Sequence, residues 1–187
     1  MILLLLIEEK KDLASSWFRD LRDQFCLEFE GIDNTTFQRK KWSHSGSGGG
    51  EISIMKGDIF EKVGVNISTV SGEFKEDYRS NISGTEQSPQ YWASGLSIVA
   101  HMKSPFVPAF HFNTRFIVTG ESWFGGGADM TPTYIYDDDT EDFHNSLRNV
   151  CDKYNENYYQ DFKKNCAEYF FLPHRGCLLY TSDAADE

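Results

Sequence analysis

Long apolar runs, basic residues and paired cysteines are all in short supply in this chain, and each shortage closes off a class of protein. The apolar opening, MILLLL at residues 1–6, falls far below the roughly 20 residues that cross a bilayer. It also lacks the basic flank and small-residue cleavage site of a signal peptide. A cytoplasmic protein with no membrane span is therefore expected, and the triplets at Asn34, Asn66 and Asn81 say nothing about glycosylation. Lysine and arginine number 18 against 29 acidic residues, for a net charge of -11. Phosphate backbones need a basic surface, so nucleic acid is excluded as the main partner. An anionic small ligand is still within reach of a local cluster of Arg and His. The four cysteines, Cys26, Cys151, Cys166 and Cys177, form no CxxC pair and no dense framework, which points to reduced thiols inside a cell. The glycines at 48–50 lack the Lys-Ser/Thr ending of a phosphate loop and the spacing of a dinucleotide fingerprint. No internal repeat is visible.

What the chain does hold is aromatic bulk: 15 Phe, 9 Tyr and 4 Trp, within 40% apolar residues overall. That excludes general disorder, and 187 residues suit one domain with a real core. The organising stretch is 91–131. Read with a period of two, residues 110–118 put His111, Asn113 and Arg115 on one face and Phe112, Thr114, Phe116 and Val118 on the other. The run 95–101 likewise sets Ser97 and His101 against Leu96, Ile98 and Ala100. Pro105 and Pro108 mark the connection between the two runs. Two neighbouring strands thus offer a hydroxyl, imidazoles, an amide and a guanidinium to a common side. Such groups are costly to bury unpartnered, so this side is expected to line a wet pocket or meet an anionic ligand.

Taken in order, residues 10–30 read as an amphipathic helix, with Leu13, Trp17, Leu21, Phe25 and Phe29 inward and Gly31 as its stop. Residues 32–50 read as a flexible polar loop that leaves His44 in solvent, or else as a lid over the pocket. Three short strands, EISIMK, DIFEKV and VNISTV, follow within 51–72, and 73–90 reads as an irregular connection. ESWFGGGADMTPTY at 121–134 is a glycine-rich hairpin, or else a place where backbone approaches a ligand closely, with Asp129 just beyond it. Helices are expected at 137–154 and 156–171, before Pro173, His174 and Arg175. Strands first and helices later make this an α+β domain, an antiparallel sheet covered by helices.

Beyond His44 there are four histidines: His101, His111, His144 and His174. Imidazoles from distant parts of a chain can gather on a transition metal, yet none of these pairs has the spacing of HExxH or of a zinc finger. Singly, each is more often a hydrogen-bonded structural residue. His111 stands out because Asn113 and Arg115 flank it on the same face, and as an acid or base it is poised near neutral pH.

WASGLSIVAHMKSPFVPAFHFNTRF, ESWFGGGADMTPTY and FKKNCAEYFFLPHRG, with FEKVGVNIST and SGSGGGEISIMKG, together resemble the oxygen-dependent coproporphyrinogen-III oxidases of haem biosynthesis, in their bacterial form, over residues 40–176. WFGGGAD followed by TP, with HxNxR upstream and HRG downstream, is the specific part. The resemblance implies oxidative decarboxylation of two propionates of coproporphyrinogen III to vinyls, giving protoporphyrinogen IX. It implies O2 as co-substrate, no organic cofactor, a broad antiparallel sheet flanked by helices, and a homodimer. Residue by residue, it implies His111 as catalytic proton donor and Ser97, Asn113, Thr114 and Arg115 as substrate contacts. His101, His111, His144 and His174 would be ligands of a divalent metal such as manganese.

Three positions depart from the family pattern. Asn165 stands where Trp is common, and Ser71 where an aromatic or His is common. After Gly176, CLLYTSDAADE replaces a glycine-rich strand and a long further portion. The expectation is an incomplete oxidase domain at 1–176 with a non-native tail at 177–187, and MILLLL as a similar artefact. The competing expectations are a non-catalytic fragment that keeps part of the binding face and a generic four-histidine metalloprotein.

Overall fold

The computed structural model describes residues 6–79, 82–86, 88–173 and 177–178. Helix α1 (Ile7–Asp33) comes first, followed by strands β1 (Gln38–Ser43), β2 (Ser47–Met55) and β3 (Phe60–Glu73). A one-turn helix, α2 (Glu76–Arg79), separates these from β4 (Gln90–Met102), β5 (Ala109–Val118) and β6 (Ser122–Thr131). Helices α3 (Asp137–Cys151) and α4 (Tyr158–Tyr169) follow, then a small pairing of β7 (Phe171–Leu172) with β8 (Cys177–Leu178). Strands β1 to β6 form one antiparallel sheet in sequence order, so every pairing joins chain neighbours through a local connection. The α+β expectation is borne out. Among the described residues no helix is long and apolar enough to cross a membrane.

Alternation along the ladder gives the sheet two unlike faces. Met55, Val63, Val65, Leu96, Ile98, Ala100, Phe116 and Val118 are buried on one of them, against Ala14, Phe18 and Cys26 of α1. Burying Phe18 to 1% exposure contributes about 1.5–3 kcal/mol. The helix is turned by one position from the expected stripe. Leu13 and Trp17 are 58% and 49% exposed, while the row Ala14, Phe18, Arg22 and Cys26 is buried. A helix buries an arc wide enough for adjacent rows, so Leu21, Phe25 and Phe29 still pack at its margin. Arg22 tolerates burial because it pairs with Glu51 and Asp23, and Arg39 joins Asp23 at 2.8 Å. Burial pulls the Asp23 carboxyl upward, but the hydrogen bond and charge of Arg22, then those of Arg39, outweigh it and hold the group below its ordinary range.

Four other expectations are corrected. The segment 32–50 is not one loop, since it supplies β1 and the glycine-rich start of β2. A Cβ at Gly49 would lie 2.2 Å from the Trp42 carbonyl oxygen, and one at Gly50 2.2 Å from that of Ile67. Close strand approach therefore explains these glycines, and glycine leaves no alternating pattern to read. DIFEKV and VNISTV belong to a single strand, β3, which runs through Gly64. The glycine triplet 125–127 lies inside β6, and the β5–β6 turn falls at 119–121. Gly31 does not stop α1 either: the helix continues to Asp33 and is capped by Asn34 in the left-handed region at φ 50°.

Candidate active site

The face turned away from α1 collects the polar groups. Strand pairing sets Ser97 opposite Asn113, and Asn113 opposite Gly127. The next rung toward the β4–β5 connection pairs His111 with Asp129, and the rung on the other side pairs Arg115 with Gly125. Asn66 of β3 stands opposite Ser97, so one row of the ladder reads Asn66, Ser97, Asn113, Gly127 across four strands. The period-two reading of β4 and β5 is thereby confirmed in position. What it was expected to line is different. Two clefts of about 490 Å³ and 510 Å³ lie elsewhere, one near α3 and the β4–β5 connection, the other between α1 and the start of β2. Ser97 and Arg115 are exposed, and the site is a sheet face rather than an enclosed cavity.

At its centre is a hydrogen-bonded chain. His111, 7% exposed, places Nδ1 2.8 Å from Oδ2 of Asp129 and Nε2 3.3 Å from Nε2 of His101. The hydroxyl of Thr131 donates to Asp129 at 3.0 Å. An ionised carboxylate only accepts, so Nδ1 of His111 carries the proton of that bond. Between the two Nε2 atoms one ring donates and the other accepts. Beside this chain, Oδ1 of Asn113 is buried with no hydrogen-bond partner among the described residues, a costly arrangement for a carbonyl oxygen. Arg115 takes part in no hydrogen bond or ion pair among the described residues, and its Nε lies 3.8 Å from the point a Gly125 Cβ would occupy. The missing side chain at Gly125 leaves space in which the guanidinium can move.

Not every expected residue joins the face. Thr114 shares the α1 side with Phe112 and Phe116, so its side chain does not reach a ligand lying against His111 and Asn113. His144 belongs to α3, where its Nδ1 is 3.0 Å from the hydroxyl of Tyr159 on α4. Burial, Lys163 and Arg148 together hold its pKa below the ordinary histidine value. His174 lies outside the described residues. His44 is half-buried in the β1–β2 turn, its Nδ1 accepting the Gly46 N–H at 3.2 Å.

The four-histidine metal set accordingly does not assemble among the described residues, where no cluster of three or more His, Cys, Asp or Glu is shaped to hold an ion. Two imidazoles converge, but His144 is committed to Tyr159 beside two cations, a poor setting for a divalent ion.

Asp129 is the functional residue that the sequence reading underused. Read as strand, GGGAD puts Gly125, Gly127 and Asp129 on the face of His111. Read as hairpin, it hides that pairing.

A family model described as coproporphyrinogen III oxidase matches residues 14–178. A curated protein of Rickettsia akari (strain Hartford), named oxygen-dependent coproporphyrinogen-III oxidase, is 51% identical over 177 residues, covering 89% of this chain and 63% of the relative. One of the same name from Rickettsia bellii (strain OSU 85-389) is 49% identical over 178 residues, covering 90% of this chain and 64% of the relative. The chain thus spans somewhat under two thirds of the length of these curated relatives.

Proposed function

Because the chain belongs to the coproporphyrinogen III oxidase family, we propose that it takes part in the oxygen-dependent oxidative decarboxylation of coproporphyrinogen III to protoporphyrinogen IX in haem biosynthesis. The observation that carries this reading is a guanidinium, Arg115, with no hydrogen-bond or ion-pair partner among the described residues, on the same sheet face as the Asp129–His111–His101 chain. A substrate with several propionates around an electron-rich ring needs both kinds of group: a fork for a carboxylate and a proton carrier near the ring.

Each propionate gives up its carboxyl as CO2 and one hydrogen, with its electron pair, from the carbon next to the ring. One O2 takes the two electrons together with that hydrogen's proton and a second proton from solvent, and leaves as H2O2. The step occurs twice. In this reading Arg115 anchors a propionate and sets which side chain faces the reacting position. Ser97 Oγ accepts an N–H group of the substrate, and Asn113 contacts it from the neighbouring strand. His111, held by Asp129, exchanges a proton with the substrate, and His101 relays it. No step is assigned to a metal. The cytoplasm and a homodimer fit the same reading, supported by family membership alone.

The test is incubation with coproporphyrinogen III in air, with products separated by their number of carboxylates. The expected product carries two fewer, and both His111→Ala and Arg115→Ala abolish it. Undiminished product from both variants would overturn the assigned roles.

A further inference from the structure

Glycine in the middle of a strand weakens it, so three in a row at 125–127 need three reasons. One is visible inside the protein: a Cβ on Gly126 would lie 2.4 Å from the Asn113 carbonyl oxygen, whereas one on Gly125 would make only ordinary contact, 3.8 Å from Arg115 Nε. Gly127 has no such reason. A Cβ there meets no atom of the described residues within 4 Å, and its backbone is not in the left-handed region. For the fold alone, alanine fits better at this position, since it lowers the entropy of the unfolded chain at no steric cost.

What lies in front of Gly127 supplies the reason. It is directly opposite Asn113 and two residues along β6 from Asp129. Flanking rungs carry Arg115 and His111. The gap is bounded by a carboxylate-binding cation and an imidazole, and it is floored by bare backbone.

We propose that Gly127 determines ligand specificity: its missing side chain keeps open the place where the disc of a tetrapyrrole lies against β6, between the rungs of Arg115 and His111. A propionate at the disc's rim then falls toward Arg115. This rests on the function proposed above and adds the position of the ring on the sheet.

The test compares the 187-residue chain with Gly127→Ala and Gly126→Ala, using coproporphyrin III, the oxidised and fluorescent macrocycle, as probe. Thermal melting is recorded alongside fluorescence titration. Gly127→Ala should melt at or slightly above the wild-type temperature and bind the probe about tenfold or more weakly, the effect of one added methyl in a fitted site. Gly126→Ala should melt lower. Equal affinity in wild type and Gly127→Ala overturns the inference and leaves the functional reading standing. A lowered melting temperature for Gly127→Ala also overturns it, because the glycine would then serve the fold. Failure of the wild-type chain to bind at all overturns the functional reading, and this inference with it.

Discussion

His111 and Asp129 face each other across the β5–β6 ladder, with imidazole Nδ1 2.8 Å from carboxylate Oδ2. Adjacent antiparallel strands bring opposed residues close enough for such a bond without any loop to position them. The pairing decides which nitrogen of His111 is free. With Nδ1 protonated toward Asp129, Nε2 points to His101 and to the open face.

The tautomer is directly observable. Nitrogen-15 NMR of the neutral His111 ring should show a protonated Nδ1 and an unprotonated Nε2. In Asp129→Ala the preference should disappear and the two tautomers mix. An unchanged ring spectrum in that variant would mean that Asp129 does not orient His111.

A second carboxylate ties the ends of elements together. Asp33, at the end of α1, accepts the N–H groups of Asp58, Ile59 and Phe60 at 2.7, 3.0 and 2.9 Å. Partial desolvation works to raise its pKa, but the three N–H groups and the Lys103 charge prevail and lower it. A depressed carboxylate stabilises the fold above its unfolded pKa, and that contribution is lost as pH falls through the folded value. Asp33→Asn should therefore melt below wild type at pH 7, with the gap closing as acid protonates the native carboxyl, below about pH 4. A gap independent of pH would show that charge is not involved. Gly57→Ala should reproduce the loss at neutral pH, because its Cβ would stand 2.0 Å from Asp33 Oδ2.

In the α3–α4 hairpin, His144 is kept neutral by burial and by the charges of Lys163 and Arg148. Here the unfolded chain binds a proton more readily than the folded one, so stability contributed by the Tyr159 contact is present above the ordinary histidine pKa and is lost on acidification. The His144 ring should titrate below a normal histidine by proton NMR, and Lys163→Ala should raise its midpoint. A midpoint unmoved by that change would refute the assignment.

The core supplies a plain stability test. Phe18→Ala removes a fully buried ring between α1 and the sheet and should cost about 3–5 kcal/mol, read from denaturant unfolding. Trp17→Ala, at a half-exposed position, should cost much less. The reverse order would restore the helix orientation first expected from spacing.

Legibility followed side-chain chemistry. In β4 and β5 enough positions alternate, as in Leu96-Ser97-Ile98 and Phe110-His111-Phe112-Asn113, that the face of His111, Asn113 and Arg115 could be read directly. Where glycine removes the alternation, in Gly48–Gly50 and Gly125–Gly127, strands look like loops, and Asp129 went unpaired with His111 for that reason. Arg22 was unreadable as a core residue because its burial depends on Glu51, 29 positions away. The orientation of His144 depended on Tyr159 in the next helix, which no single-helix pattern contains.

The central claim is that the face carrying Arg115, Asn113 and His111 binds a propionate-bearing tetrapyrrole. The most direct measurement is titration of coproporphyrin III into the wild-type chain and into Arg115→Ala. Losing one charge-assisted contact costs about 1.5–3 kcal/mol, so the variant should bind roughly 10- to 150-fold more weakly while melting at nearly the same temperature. Equal binding by both proteins, or no saturable binding by the wild type, would contradict the claim.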